Sequence, residues 1–212
     1  IIEKLVYFFD DPLFDSSMIP TYLVSKEIST NFKVALSGDG GDELFGGYNH
    51  YNKLMKLRAF SSFVPLPIRK YTNNLVQTFM PIGSRGRKTI ELFSTNFKTS
   101  FPNTDEFFSI KEQKNFFRNE LFEEEKYHYK NIHNNKFKYP LGSMLNDFKN
   151  YLPNDLLVKV DRASMANSIE VRAPFLDKNL IEFAFTEVPS SLKVSHQNKK
   201  ILLKKLALKI LP

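Results

Sequence analysis

The chain has 212 residues, 42% of them hydrophobic and 14% aromatic, enough to bury a core as one large domain or two small ones. It contains no cysteine, which excludes a disulfide framework and any cysteine-ligated metal or cluster. No stretch approaches the roughly 20 apolar residues of a membrane span and no signal peptide is visible, so a cytoplasmic protein with no membrane partner is expected. The net charge of +7 is dispersed, with no basic run beyond three residues and lysines alternating with Asn and Phe. That pattern reads as a solvated surface and not as a nucleic-acid interface. The chain opens on Ile1 and closes on Leu211-Pro212 directly after a helical pattern, so both ends read as cut from something longer.

Leu5–Phe9 is a short apolar, aromatic run ahead of Asp10-Asp11-Pro12, which predicts a strand ending in a turn. Asp15-Ser16-Ser17 supplies N-cap residues, and Pro20 falls in the first turn of the helix that follows, through Ile19, Tyr22, Leu23 and Ile28. Val34–Leu36 predicts a short buried strand. Leu44, Tyr48, Tyr51 and Met55 then lie on one face of a single predicted helix. This order argues for an α/β unit with a parallel sheet, whose ligands sit at the carboxyl ends of the strands. From Phe60 onward Pro65, Pro67, Pro81, Gly83 and Gly86 predict short pieces, and residues 87–150 carry helical patches at Glu112–Phe122 and Leu141–Phe148. Tyr151–Asp155 reads as a turn and N-cap before a helix with Leu156, Val160 and Ala163 on one face. Pro174 ends that element, Asp177 caps another helix, and Lys199–Leu211 forms the last, with Ile201, Leu202 and Leu208 on its apolar side.

Between Val34–Leu36 and the next helix lies Ser37-Gly38-Asp39-Gly40-Gly41-Asp42-Glu43-Leu44-Phe45-Gly46-Gly47-Tyr48, which holds five of the chain's eight glycines. Glycines in a strand-to-helix turn let backbone N–H groups approach an anion. The three carboxylates would repel that anion unless a cation lay between them. The combination therefore points to a nucleotide phosphate held with Mg²⁺, whose ligands are oxygens. A purely structural connection is the alternative for such a turn taken alone. In the second dense segment, Glu170–Asp177, the charges of Glu170 and Arg172 sit among Ile169, Val171, Pro174, Phe175 and Leu176. Buried charges must be paired, so a partly buried ion-pair network placing the helical region against the nucleotide edge is expected. His50, His128, His133 and His196 are scattered at spacings that suit no metal site, and no Ser–His–Asp set or Walker-type Gly-Lys-Ser/Thr is present.

The Leu36–Tyr48 segment closely resembles the signature of the synthetase domain of glutamine-hydrolysing asparagine synthetases. Asp10–Pro12 and Asp15–Ser25 resemble the stretch before it in that family. Tyr151–Ala166, Glu170–Asp177 and the helix from Lys199 resemble its later segments, while residues 61–145 match loosely. The resemblance implies part of a parallel-sheet ATP-pyrophosphatase (adenine nucleotide alpha hydrolase-like) domain. Residues 1–60 would be the C-terminal part of its nucleotide-binding α/β unit, and 61–212 the mainly helical part of the same synthetase domain. It implies formation of asparagine from aspartate through an aspartyl-adenylate, with ATP and Mg²⁺ required. Ammonia would come from a glutaminase domain that these residues do not include, and the complete protein would be a homodimer. Ser37, Gly38, Gly40 and Gly41 would contact ATP. Asp39 and Glu43 are the catalytic candidates: Asp39 stands at the acidic position important for forming the intermediate and Glu43 beside it in substrate binding or structure, while Asp42 stands at the Mg²⁺-pyrophosphate ligand. The family's Ser-Gly-Gly-x-Asp-Ser loop and Arg-x-Lys segment are not among these residues, so the chain alone is expected to be inactive. Two alternatives stay open at this point: an amidotransferase acting on a sugar acid or other carboxylate, and a non-catalytic module.

Overall fold

In the computed structural model the described residues are 1–9, 15–97 and 139–211, so Asp10–Pro12, Glu112–Phe122, His128 and His133 lie outside them. Two short strands, β1 (Val34–Leu36) and β2 (Glu170–Arg172), pair in parallel with Val34 opposite Glu170 and Leu36 opposite Arg172. Ser37 extends the pairing by donating its N–H to the Arg172 carbonyl at 2.8 Å. β2 comes from the charged segment in which the sequence predicts a partly buried ion pair. Alternating side chains on a strand point to opposite faces, so Glu170 and Arg172 share one face two residues apart. That face is open, and the two form an exposed pair at 2.7 Å, not a buried network. Each strand is preceded by a helix: Met18–Ser29 (α2) before β1 and Leu157–Met165 before β2, and these helices pack against one another. A helix joined to its strand by a few residues runs back along it. The amino ends of both helices therefore stand at the carboxyl edge of the sheet.

Lys159, near the start of the second of these helices, ties those ends together. Its ammonium donates to Asp15 Oδ2 at 2.6 Å and to Ser17 Oγ at 2.7 Å, while Asp15 Oδ1 accepts the Ser17 N–H at 2.8 Å. Ser17 is the N-cap residue as predicted, but its hydroxyl serves Lys159 and makes no cap bond. Burial raises the Asp15 carboxyl; the bonds from Lys159 and Ser17 outweigh it and hold the group below its ordinary value.

Four further expectations are corrected. Of Leu5–Phe9, all but Phe9 belongs to a helix, Ile2–Phe8 (α1), because the run pairs with no strand among the described residues and one turn buries Leu5 against Tyr22 and Ala163. Short apolar runs fit either period, and tertiary contact chose this one. β1 is not buried: Leu36 remains 75% exposed, since β2 is its one described neighbour and its outer face is uncovered. The helix through Leu44 and Met55 is two, Gly41–Phe45 (α3) and Asn49–Ser61 (α4), broken where Gly46 adopts φ 70°. The inward face is the predicted one, with Leu44 and Tyr51 buried and Tyr48 and Met55 packed against them. Leu152–Leu156 is a π-helical turn running straight into the Leu157 helix, with no N-cap between them.

The remaining described helices are Leu66–Phe79, Arg87–Phe93, Leu141–Lys149, Lys178–Thr186, Ser190–Lys193 and Ile201–Ile210. The first is a single 14-residue helix, not short pieces, because Pro65 and Pro67 fall at its start, where proline is tolerated. The Leu141 helix stands as predicted. Asp177 caps the next helix, accepting the N–H groups of Asn179 and Leu180 at 2.9 and 3.2 Å. In the last helix Leu202 and Leu203 reach the core, whereas Leu208 is exposed, with no described element covering it. Among the described residues no helix is long and apolar enough to cross a membrane.

Candidate nucleotide site

The acidic glycine turn leaves β1 at the carboxyl edge of the sheet and is closed by three later segments. Ser37 Oγ donates to Asp39 Oδ2 at 2.8 Å, drawing the first carboxylate back over the end of the strand. The Gly41 N–H donates to the Gly38 carbonyl at 3.1 Å and Leu44 N–H to Gly40 at 2.9 Å, so the turn tightens directly into α3. Gly40 lies at φ 86°, and a Cβ there would meet Leu176 Cδ2 at 2.4 Å. Only glycine satisfies both the left-handed backbone and that contact. Phe175 lies over Gly41, its ring 3.3 Å from where a Cβ would stand, a tight contact without the left-handed backbone of Gly40. The Pro174–Leu176 turn thus does place the later region against the glycine turn, through apolar contact and not through buried charge.

The three carboxylates of the turn diverge. Asp39 is partly exposed on the Ser37 side. Asp42 Oδ1 faces the Lys200 ammonium at 2.8 Å, each side chain about one-third exposed, at 37% and 35%. Glu43 points the other way, 1% exposed, and accepts the Tyr48 hydroxyl at 2.5 Å. Burial raises its carboxyl above the ordinary range despite that bond, and the same burial drives the Tyr48 hydroxyl far upward. Behind it Asp147, also buried, accepts Tyr51 Oη at 2.6 Å and lies 2.8 Å from His50 Nε2. The His50 ring stacks on Tyr48 with centroids 5.2 Å apart. His50 is therefore a half-buried, paired residue, and His196 is exposed. The structure thus brings Ser37, Gly38, Asp39, Gly40, Gly41 and Asp42 to one edge and leaves Glu43 beneath them as support.

Lys200 is the site residue that pattern reading missed. It precedes the last helix with a left-handed backbone, φ 50° and ψ 41°, while Lys199 donates to Asn49 Oδ1 at 2.6 Å. Two lysines at a helix start oppose the helix dipole. That mismatch is a signal, legible in Lys199-Lys200, that a carboxylate partner stands nearby.

Among the described residues no group of three or more His, Cys, Asp or Glu gathers to hold a metal. Among these residues a cation held by protein ligands alone does not fit. One carried on phosphate oxygens would need a single carboxylate, and Asp42 already faces a cation, the Lys200 ammonium.

Parallel strands with such a turn at their carboxyl edge, amid many helices, define a mixed α/β domain with its candidate ligand edge at the ends of β1 and β2. The asparagine synthase family matches residues 1–212, and the chain belongs to that family. It is 36% identical over 222 residues to the glutamine-hydrolysing asparagine synthetase 1 of Bacillus subtilis, covering 100% of this chain and 33% of that protein. Two proteins named provisionally as glutamine-hydrolysing asparagine synthetases are also similar. That of Mycobacterium tuberculosis is 29% identical over 215 residues, covering 100% of this chain and 32% of the relative. That of Methanocaldococcus jannaschii is 34% identical over 176 residues, covering 78% of this chain and 32% of the relative. The chain spans about a third of the length of the curated relatives it matches. No solved structure matches it significantly.

Proposed function

We propose that the chain is part of an ATP-dependent amide-forming ligase that converts aspartate to asparagine through an aspartyl-adenylate. The observation that carries this reading is the Ser37–Glu43 turn, set at the carboxyl edge of β1 in a chain matched by the asparagine synthase family from end to end. In the first step the aspartate side-chain carboxylate attacks the α-phosphorus of ATP and pyrophosphate leaves. In the second, ammonia displaces AMP. The ammonia comes from glutamine hydrolysed elsewhere in a longer protein, in keeping with the relatives' names. The domain is of the ATP-pyrophosphatase type, with residues 1–60 on its nucleotide side and 61–212 as its largely helical remainder, working in the cytoplasm as a homodimer.

Ser37, Gly38, Gly40 and Gly41 line the phosphate side of the site. Asp39, which accepts the Ser37 hydroxyl, would act near the reacting carboxylate. Asp42 would hold Mg²⁺, which when bound neutralises charge on the triphosphate. Glu43 acts as a positioning residue: its bond to Tyr48 ties α3 to the start of α4 and so fixes where Asp42 projects.

The test is aspartate-dependent ATP–pyrophosphate exchange by the full-length protein and its Asp42→Asn variant. The reading expects exchange with aspartate and a loss on the order of a hundredfold or more in the variant. Exchange with another carboxylate and none with aspartate would overturn the substrate assignment. A loss below about tenfold would leave Asp42 as a structural residue. The 212 residues alone are expected to make no asparagine, and measurable synthesis by them would contradict the view that other segments complete the site.

A further inference from the structure

The Asp42–Lys200 pair is a built contact and not a casual surface ion pair. Three features fit only together. Lys200 adopts φ 50° though it is not glycine, a conformation that L side chains resist. Its stem crosses the bare Cα of Gly47, where a Cβ would lie 2.4 Å from Lys200 Cε. The same Cβ would lie 1.5 Å from Asp42 Oδ1, so the carboxylate is also drawn over that glycine. Gly47 in turn is held by its N–H, which donates to the Asp42 carbonyl at 2.9 Å. The backbone thus bends to deliver one ammonium onto one carboxylate at the edge where phosphates would lie.

From this we infer that Lys200 is a stand-in cation: it occupies the cation-facing side of Asp42 and makes metal binding there conditional on nucleotide. A free divalent ion must displace an ammonium held 2.8 Å from the oxygen, with no anion for that ammonium to turn to. A metal arriving on a polyphosphate brings the replacement anion with it, so the exchange conserves ion pairs. Asp42 stays aimed while the site waits, and metal without nucleotide is disfavoured. The inference rests on the reading of Asp42 as the metal-facing carboxylate, and the experiment separates the two.

The probe is Mn²⁺, alone and with ATP, titrated against the full-length protein and followed through the electron paramagnetic resonance of the free ion. Lys200→Gln keeps the stem and removes the charge; Lys200→Arg keeps the charge. Lys200→Gln is expected to bind Mn²⁺ alone roughly two- to fivefold tighter than the parent, the range set by losing a partly exposed competitor, and Lys200→Arg to match the parent. Unchanged Mn²⁺ affinity in Lys200→Gln, with a melting temperature like the parent's, overturns the stand-in role. So does equal tightening in both variants, since that would report loosened packing and not a lost charge. Asp42→Asn is expected to weaken Mn²⁺ binding in the presence of ATP. If it does not, the metal-facing reading of Asp42 fails, whatever Lys200 does.

Discussion

Replacing Gly47 with alanine separates what this glycine does for folding from what it does for the site. Its backbone is not in the left-handed region, so alanine meets no conformational penalty there. Removing a glycine also stiffens the unfolded chain, a gain of about 0.4–1 kcal/mol. Against this, a Cβ 1.5 Å from Asp42 Oδ1 and 2.4 Å from Lys200 Cε forces both side chains aside and breaks their pair. Because the pair is one-third exposed, solvent screening limits its worth to about 0.2–1 kcal/mol. The two terms nearly cancel, and for a chain of this size about 1 kcal/mol moves the melting temperature by roughly 2–4 °C. Gly47→Ala should therefore melt within about 4 °C of the parent. Its aspartate-dependent exchange should nevertheless fall by a factor on the order of ten to a hundred, since a misplacement of about 1 Å carries that penalty. Thermal melts followed by dye or circular dichroism, beside the exchange assay, read both effects. A drop above about 10 °C would show that Gly47 is needed for folding, and exchange within about threefold of the parent would show that Asp42 need not stand where it does.

Two titrations test the buried groups around the site. Lys193 is fully buried, donates to the Ala184 carbonyl and lies 5.0 Å over the Phe185 ring, and burial pulls its pKa from 10.5 down to about 8. The unfolded chain therefore holds this proton more tightly, and stability from this group rises between pH 8 and 10.5 by at most about 3 kcal/mol. The melting temperature of Lys193→Met relative to the parent should accordingly decline from pH 7 to pH 10, and a flat difference would contradict the burial argument. Glu43 has the opposite sign: its raised carboxyl pKa means that the folded chain binds the proton more readily, so its contribution is present at low pH and lost as pH rises through the raised value. Glu43→Gln, which still accepts from Tyr48, should gain on the parent as pH goes from 4 to 7; a constant offset across that range would contradict the raised pKa, and a loss would show that Glu43 is stabilised as an anion.

Much of the candidate site was legible before the fold. Val34-Ala35-Leu36 followed by the acidic glycines has no good alternative to a strand, a tight turn and a helix start, because local backbone demands settle all three. Asp177 capping the helix from Lys178 is equally local. Burial was much less legible. Leu5 and its neighbours suit a strand or a helix, and only the groove formed by Tyr22 and Ala163 decides between them. Leu36 is as apolar as Leu44, yet one is exposed and the other buried, since burial depends on which element arrives from far along the chain.

The sequence by itself determined the family, the passage from strand to turn to helix start at Val34–Leu44 and the residues of the turn, because glycine conformation and the run of acidic residues act within a dozen positions. Tertiary structure decided how the three carboxylates differ. Asp39, Asp42 and Glu43 are all carboxylates, but Ser37 takes the first, Lys200 the second and the half-buried Tyr48 the third. The partner of Asp42 lies more than 150 residues away, brought to it by the packing of the last helix on the core that α3 begins. Charge pairing of that range leaves no periodicity to read, and it exists only once the hydrophobic faces of separate elements have met.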